Sequence, residues 1–350
     1  MERDKVGALL LTQASDQRWA TGFDGVFDDD PGVACLIGRS AAAVYADSRY
    51  VEAARVAAAG TAWTVHKAAR PATRAAEVAA GAGGTLALQP QLPWARYTRL
   101  AGAFGGRVVP STGWLEAARI VKDAGEIARI GAAQEITDAA FSHILDLVAP
   151  GVSEAELALE IEVFMRRNGA EGVAFPTTVA SGPNSSKPHA GATQRVLIDG
   201  DFVKMDFGAR VGGYRADMTR TVVLGAASDH QRAIYDAVLE ANEAAIAACR
   251  AGVAGRRLHR VAVTVLERHG MGRRFGHGLG HGVGLDIHEG PSVGPRSDDV
   301  LAAGMVVAIE PGVYEPGFGG ARIEDLVVVE DSGCRVLTGS TKALIEISGR

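Results

Sequence analysis

Residues 201–221, which read DFVKMDFGARVGGYRADMTRT, decide the fold of this chain. Two apolar runs flank a Gly-Gly reversal at residues 212–213, which is the pattern of a β-hairpin. One arm carries Asp206 and the other carries Asp217, and antiparallel pairing brings the two near opposite positions. Because opposed Cβ atoms lie about 4.5–5.5 Å apart, two bare carboxylates there would repel each other. The pattern therefore predicts either two ordinary solvated charges or a cation held between them.

The composition predicts a soluble globular protein with room for two domains. The chain has 350 residues, of which 47% are hydrophobic and 22% are charged, and its formal net charge is −5. It has no basic stripe, so we expect no nucleic-acid partner. It also has no apolar run of about 20 residues, so we expect no membrane segment.

The cysteines and the N-terminal segment indicate a cytoplasmic protein. Cys35, Cys249 and Cys334 are far apart and odd in number, which argues against a disulfide framework. The first residues, MERDKVGALLLTQ, carry both signs of charge, and their apolar core is too short for a secretory signal.

The first third of the chain has the pattern of an α/β domain. Six short strands are expected, at residues 6–12, 34–38, 41–46, 61–65, 85–88 and 107–109. Alanine-rich segments at residues 49–59 and 72–82 have helical composition. This alternation is typical of crossover units on a sheet. Because His, Cys and carboxylate residues are not grouped here at ligand spacing, we expect no chemistry in this part.

Long helices precede strands in the remainder of the chain. Four helices are expected, at residues 123–148, 153–167, 228–249 and 255–269. Ser153 with Glu156, and Ser228 with Gln231, have the spacing of capping boxes. Two helix pairs, each followed by strands, suggest an internal duplication of a helix–helix–sheet unit.

A glycine-rich segment of this second part carries three histidines. It reads FGHGLGHGVGLDIHEGP and contains His277, His281 and His288. Glycine at that density disfavours a helix and indicates backbone that passes close to a ligand or another strand. The segment does not fit the register of a G-x-G-x-x-G phosphate loop. The chain also contains neither an H-E-x-x-H zinc motif nor a G-x-S-x-G nucleophile elbow.

Two more carboxylates stand in apolar surroundings. Glu310 follows the run MVVAI, and Glu324 lies between Ile323 and an apolar strand. Such carboxylates are costly to bury unless they are paired or bound to a metal. A salt bridge to Arg322 is the alternative explanation for Glu324, whereas Glu310 has no evident partner nearby.

Five residues therefore have the chemistry of metal ligands: Asp206, Asp217, His281, Glu310 and Glu324. Four carboxylates and one imidazole are too rich in oxygen for a structural zinc site. The set suits two adjacent divalent ions, with Mn²⁺ expected first and Co²⁺, Fe²⁺ or Zn²⁺ as alternatives. Because two such ions can share a water and lower its pKa, the expected reaction is a hydrolysis.

The motifs MDFGA, GYRADMTRT, GHGVGLDIHE, AIEPGVY and RIED resemble, in order and spacing, those of the M24 "pita-bread" metallopeptidases. That family contains methionine aminopeptidase, aminopeptidase P and prolidase. WATGF near residue 19 and ADSRY at residues 46–50 resemble the creatinase-type N-terminal domain of the proline-specific branch. The resemblance covers the entire chain. It implies an α+β fold, with a creatinase-like α/β domain over residues 1–118 and a pita-bread catalytic domain over residues 119–350.

The resemblance also implies how the five ligands divide between two ions. Asp206 would chelate one ion, and His281 and Glu310 would hold the other. Asp217 and Glu324 would bridge both. A metal-bridging hydroxide would then attack the scissile carbonyl.

Further residues match family positions that meet the substrate. His288 would steady the carbonyl and the oxyanion, His189 would meet the substrate near the scissile bond, and Glu310 would shuttle the proton. His277 and Tyr314 would line the proline pocket. Arg322 would steady the carboxylates.

The function implied first is that of a Xaa-Pro aminopeptidase acting on proline-containing peptides. The X–Pro bond has no N–H, which handicaps peptidases that bind one. Prolidase, a Xaa-Pro dipeptidase, is the alternative. Prolidase-like members often carry an arginine a few residues after the HE pair, where this chain has Ser292, with Arg296 four residues later. The departure at Ser292 favours the aminopeptidase, and Arg296 keeps the prolidase open.

More remote alternatives are a non-peptidase C–N hydrolase or lyase on the same scaffold, and a catalytically dead binding module. Metal-free creatinases and dead relatives lack the carboxylate set that this chain retains. Self-association is the habit of the family, so the resemblance also implies a homodimer.

Overall fold

The structure is a computed structural model that describes residues 6–28 and 30–348. The first five residues of the segment MERDKVGALLLTQ are not among them, so the prediction that this segment is no secretory signal lies partly outside the described residues. The chain divides into two compact units, Met1–Arg119 and Ile120–Arg350. Among the described helices, none is both long enough and apolar enough to span a membrane.

The first unit is built on one six-stranded sheet. Its strands are β1 (Val6–Leu11), β2 (Val33–Gly38), β3 (Ala42–Ala46), β4 (Trp63–Lys67), β5 (Thr85–Leu88) and β6 (Val108–Pro110). Its helices are α1 (Ala14–Thr21), α2 (Val51–Ala58), α3 (Pro71–Ala82), α4 (Trp94–Phe104) and α5 (Trp114–Arg119). The strand order is β4-β3-β2-β1-β5-β6. The pairs β3–β4, β1–β5 and β5–β6 are parallel, as crossover units require.

The sequence located all six strands of this sheet to within about two residues. Three of its helices, α1, α4 and α5, were missed. Helix α1 is only eight residues long, and neither α1 nor α4 has a side-chain hydrogen bond at its N-cap. Without a capping signal, a short helix has no clear start in the sequence.

The second unit contains two helix pairs and several small sheets. Its helices are α6 (Ala124–Leu145), α7 (Glu154–Arg167), α8 (Asp229–Ala248) and α9 (Gly255–Arg268), with 3₁₀ turns at Gly182–Ser186 and Gly272–Arg274. Its first strands are β7 (Gly172–Val173), β8 (Thr178–Ser181), β9 (Phe202–Phe207), β10 (Ala209–Val211), β11 (Tyr214–Arg215) and β12 (Met218–Leu224). The others are β13 (Gly280–Gly282), β14 (Glu289–Val293), β15 (Val306–Ile309), β16 (Gly312–Glu315), β17 (Gly319–Arg322), β18 (Asp325–Val329), β19 (Cys334–Val336) and β20 (Glu346–Ile347).

Each helix pair covers one of the two larger sheets. The sheet β20-β12-β9-β8 shares a buried core with α6 and α7, and the sheet β14-β13-β15-β18-β19 shares another with α8 and α9. The capping boxes predicted at Ser153 and Ser228 are both present, and Asp123 forms a third with Glu126. These caps explain why the three helix starts could be read from the sequence.

The hairpin of residues 201–221 is present, with one correction to its register. Gly212 and Gly213 form the two-residue turn, and their φ angles of 55° and 80° lie in the left-handed region. Asp206 is opposed by Thr219, not by Asp217. Because Asp217 lies two residues before Thr219, the two aspartates are diagonal neighbours on one face of the sheet.

Gly208 allows the two arms of this hairpin to approach closely. A Cβ at Gly208 would lie 1.9 Å from the carbonyl oxygen of Ala216, which is backbone and cannot move aside. The glycine is therefore required between Asp206 and Asp217, where β9 ends and β10 begins.

We expect Gly208→Ala to lower the free energy of unfolding by about 1–3 kcal/mol, because the added methyl group forces the strands apart. Gly131→Ala is the matched control, since a Cβ in the middle of α6 meets no atom within 4 Å. That change should raise stability by about 0.5–1 kcal/mol. Urea unfolding followed by circular dichroism measures both, and equal stability of Gly208→Ala and the unaltered protein would contradict the close approach.

Candidate active site

Strand ends of the second unit bring the five predicted ligands to one place. Asp206 lies within β9 and Asp217 directly before β12, while His281 is the middle residue of β13. Glu310 follows β15, and Glu324 is the second of the two residues between β17 and β18.

His281 faces two of the carboxylates. Its Nε2 lies 3.6 Å from Asp217 Oδ2 and 3.7 Å from Glu310 Oε1. Its Nδ1 is 3.1 Å from the carbonyl oxygen of Gly282, which can only accept a hydrogen bond. The proton therefore resides on Nδ1, and the lone pair of Nε2 is directed towards the carboxylates. Asp217, His281 and Glu324 present ligand atoms that all lie within 4.8 Å of one another.

Two carboxylate oxygens of the cluster have no hydrogen-bond donor. Asp206 Oδ1 and Glu324 Oε1 are buried and unpartnered among the described residues. An unpartnered buried carboxylate oxygen is costly, so the arrangement indicates a missing positive group. The donor set, with oxygens and one neutral imidazole, fits divalent metal ions.

The pKa values indicate the same electrostatic imbalance. Burial and then the charge of Glu324 raise the pKa of Asp217 and the pKa of Glu310 well above their ordinary values. Burial and the charge of Asp206 raise the pKa of Glu324 to about 7. Burial and the neighbouring His288 lower the pKa of His281 to about 4, so this imidazole is neutral at neutral pH.

Arg322 is buried beside the cluster and forms its salt bridge with Asp206, and not with Glu324 as the alternative explanation for that carboxylate required. Its Nε donates to Thr219 Oγ1 at 2.8 Å, and Thr219 Oγ1 donates to Glu324 Oε2 at 2.7 Å. Although burial alone would lower it, the neighbouring phenol and carboxylates raise the pKa of Arg322 well above its ordinary value. Arg322 therefore acts on Glu324 through a threonine.

His277, Tyr314 and Arg322 form one hydrogen-bonded chain. His277 Nδ1 donates to the carbonyl oxygen of Gly278 at 2.8 Å, so Nε2 accepts from the Tyr314 hydroxyl at 2.9 Å. Arg322 Nη1 donates to the same hydroxyl at 3.0 Å. Burial raises the pKa of Tyr314 to about 12, and burial with the charge of Arg322 lowers the pKa of His277 to about 4. Both side chains are thus neutral at neutral pH.

His288 and His189 are exposed next to this cluster. The rings of His281 and His288 are 4.4 Å apart at their centroids and nearly perpendicular. A positive charge on His189 contributes to lowering the pKa of both His277 and His288, so His189 lies near both rings. The structure therefore brings all ten predicted site residues into one region.

A pocket of about 690 Å³ opens beside His277. Its lining includes His277, His259, Ser292 and Arg296. His259 of α9 is buried against Phe275 in the wall of this pocket.

Two residues of the site were missed in the sequence. Thr219 and Lys204 lie two residues from Asp217 and Asp206, and therefore on the same face of the hairpin. Burial, and then the charge of Arg322, lower the pKa of Lys204 to about 6. The period of two along a strand could have found both residues, had it been followed outward from the two aspartates.

Comparison with known proteins places these features in a family. The sequence profile of metallopeptidase family M24 matches residues 128–331, and that of the creatinase/prolidase N-terminal domain matches residues 1–121. A Xaa-Pro dipeptidase of Pyrococcus furiosus is 41% identical over 227 residues, which are 65% of each chain.

Solved structures of other proteins are similar to this one over almost the whole chain. A Xaa-Pro dipeptidase from Bacillus anthracis has a TM-score of 0.91 and 38% identity, covering 97% of this chain and 95% of the other. An X-Pro aminopeptidase from Thermotoga maritima has a TM-score of 0.88 and 35% identity, covering 98% of each.

We expect Glu324→Gln to stabilise the metal-free protein, because it removes one of several buried, repelling carboxylates. The pKa of Glu324 rises from 4.5 in the unfolded chain to about 7 in the native state. Its ionisation therefore destabilises the native state, fully above pH 7 and not at all below pH 4.5. The gain in melting temperature should be largest above about pH 7 and vanish towards pH 4.5.

Calorimetry in the presence of a chelator measures this difference, and Glu330→Gln, at an exposed position, is the control. With saturating Mn²⁺ the unaltered protein should have the higher melting temperature, because it gains free energy from metal binding that the Glu324→Gln variant lacks. A gain in melting temperature that grows as the pH falls would contradict the raised pKa assigned to Glu324.

Proposed function

The chain belongs to metallopeptidase family M24 and is a metallopeptidase, and from this premise we propose that it is a dinuclear Xaa-Pro dipeptidase. The observation that carries the proposal is the cluster of four carboxylates around the neutral His281, with two buried oxygens that accept no hydrogen bond from any described residue. Such a cluster is electrostatically incomplete without cations.

In this proposal five side chains hold two divalent ions: Asp206, Asp217, His281, Glu310 and Glu324. When bound, the ions supply a water acidic enough to act as a nucleophile at neutral pH, and they polarise the scissile carbonyl. Mn²⁺ is the metal we expect first, with Co²⁺, Fe²⁺ and Zn²⁺ as alternatives. Arg322 and Thr219 fix the orientations of Asp206 and Glu324 through their hydrogen bonds.

Glu310 is the proposed proton carrier. Its carboxyl group is buried beside Glu324, and both effects raise its pKa above the ordinary value of a glutamate, which favours the uptake of a proton. Hydrolysis of an X–Pro bond releases a secondary amine, which must gain a proton as the bond breaks. A carboxylate that takes the proton of the attacking water can deliver it there.

His277 and Tyr314 are proposed to line the pocket for the proline ring, and His288 and His189 to contact the peptide carbonyl. The neutral state of His277 and Tyr314 favours an uncharged, apolar ring beside them. His288 and His189 are exposed at the mouth of the cluster, where a substrate can reach their N–H groups. These groups are suited to bind a developing oxyanion.

Dipeptidase activity is supported better than the aminopeptidase activity that the sequence favoured first. The curated relatives with assigned activity include Xaa-Pro dipeptidases of two Pyrococcus species, and several structural relatives are prolidases. Arg296 lies in the wall of the pocket next to His277, where it can bind the carboxylate that ends a dipeptide.

Within the proposal, residues 1–118 are the creatinase-like domain and residues 119–350 the catalytic domain, and a homodimer stays a prediction.

We expect Mn²⁺-loaded protein to hydrolyse Gly-Pro with a kcat/KM at least about tenfold above that for Gly-Pro-Ala, because only the dipeptide places its carboxylate beside the proline ring. Release of glycine measures both reactions. Cleavage of the tripeptide with the dipeptide spared would restore the aminopeptidase assignment. Failure to cleave either peptide with metal bound would favour the C–N hydrolase or lyase.

We expect Arg296→Ala to raise KM for Gly-Pro about tenfold, because it removes a charge-assisted hydrogen bond to the carboxylate. The value of kcat should change little, since the arginine lies away from the scissile bond. Arg167→Ala, an exposed arginine at the end of α7, is the matched control. An unchanged KM would show that the carboxylate is bound elsewhere.

A further inference from the structure

Lys204 is a fully buried lysine in the central strand β9 of the four-stranded sheet. It lies two residues before Asp206 and so faces the same side of the sheet as the carboxylate cluster. Its Nζ is 2.6 Å from the carbonyl oxygen of Lys187 and 3.4 Å from that of Pro188. The lysine thus reaches from the sheet to the two residues that precede His189.

His189 lies in a segment of residues 181–193, which we call the His189 loop. Glu154 at the start of α7 holds the base of this loop, because its carboxylate accepts hydrogen bonds from both ends. The donors are the N–H and hydroxyl of Ser181 at 2.7 and 2.8 Å and the N–H of Thr193 at 3.1 Å. In the middle of the loop, the hydroxyl of Ser185 accepts from the N–H of Gly320 at 2.9 Å.

The part of the loop next to His189 is held by the side chains of a buried lysine and a buried arginine. Lys204 binds the carbonyls of Lys187 and Pro188, and Arg322 Nη1 donates to the Pro188 carbonyl at 3.0 Å. Pro188 has a fixed φ, so holding the carbonyls on both sides of its ring leaves the chain into His189 little freedom. Ala190, on the other side of His189, is buried.

Burial of an amine at this position is costly. The hydrogen bonds of Lys204 indicate which part of the structure the buried amine stabilises. An apolar side chain would fill the same space without loss of hydration. The Lys204 amine lies 5.0 Å from the centroid of the Tyr314 ring, and the hydrogen bonds that it donates to described residues go to the loop carbonyls. Its distinctive contribution is therefore to the loop.

We propose that Lys204 is a positioning residue, which holds the carbonyls of Lys187 and Pro188 and thereby fixes His189 beside His277 and His288. This inference rests on the proposed Xaa-Pro hydrolase activity, because it assigns Lys204 a task through His189. In the absence of the amine the loop keeps its base on Glu154, but the carbonyl of Lys187 loses its donor and the backbone before His189 is free to shift.

Lys204→Met tests the inference, since it keeps the length of the side chain and removes the amine. We expect kcat for Gly-Pro to fall about tenfold to a hundredfold, as displacement of a catalytic group by about 1 Å produces, with KM within about threefold. His189→Ala should likewise lower kcat and leave KM nearly unchanged. The double variant should be no slower than His189→Ala alone, because the lysine then has nothing left to position. Independent, multiplicative losses would overturn the inference.

Hydrogen exchange of the His189 loop gives a readout that does not depend on activity. Amides of residues 185–190 should exchange faster in Lys204→Met, while those of α9 stay unchanged. Ile144→Ala is the control for lost stability, because Ile144 is fully buried in α6 and is hydrogen-bonded to no described residue of the His189 loop. It should lower the melting temperature and leave kcat and loop exchange within about twofold. Unchanged loop exchange in Lys204→Met would overturn the inference.

Lys204→Gln serves the same purpose if the methionine variant does not fold, since its amide is too short to reach both carbonyls. The exchange experiment also separates the two proposals. If the unaltered protein cleaves no Xaa-Pro peptide, the proposed function fails, while faster loop exchange in the variant still supports the task of Lys204 in holding the loop.

Discussion

Burial of like charges is the constraint on which the site depends. Four carboxylates meet beside one neutral imidazole, and Asp217 and Glu324 are almost wholly inaccessible. At such short range their repulsion is large unless cations or protons offset it. The raised pKa values of Asp217, Glu310 and Glu324 are the expression of that repulsion in the native state. The fold thus concentrates negative charge where catalysis by divalent ions requires it.

Arg322 connects this charge cluster to the substrate region. It pairs with Asp206, reaches Glu324 through Thr219, and donates to the Tyr314 hydroxyl and to the Pro188 carbonyl. A planar guanidinium has five N–H donors, against three in an ammonium group, and can therefore serve more acceptors at once. One buried side chain therefore fixes a ligand, a wall of the proposed proline pocket and the loop that carries His189.

The scaffold makes this convergence possible because the five ligand residues lie on, or directly beside, strands of two sheets. Each sheet is supported by its own pair of helices, so the strands are rigid while their ends are free to present side chains. Rigid strands keep the ligand atoms close despite their repulsion. The short turn at Gly212 and Gly213 and the close approach at Gly208 fix the diagonal placement of Asp206 and Asp217.

The sequence by itself determined the types of residues and the elements that carry them. Capping boxes located helix starts, the Gly-Gly turn located the hairpin, and the motifs around Asp206, His281 and Glu324 marked the candidate ligands. These signals are local, because capping and turn formation depend on residues a few positions apart.

Only the tertiary structure decided which of those residues meet. Arg322 pairs with Asp206, which lies 116 residues earlier in the chain, and reaches Glu324 through Thr219. Thr219 and Lys204 became part of the site through contacts with Glu324 and Lys187, which lie 105 and 17 residues away in the chain. Contacts of this kind depend on how sheets and loops pack together, and the spacing of residues along a single segment does not encode them.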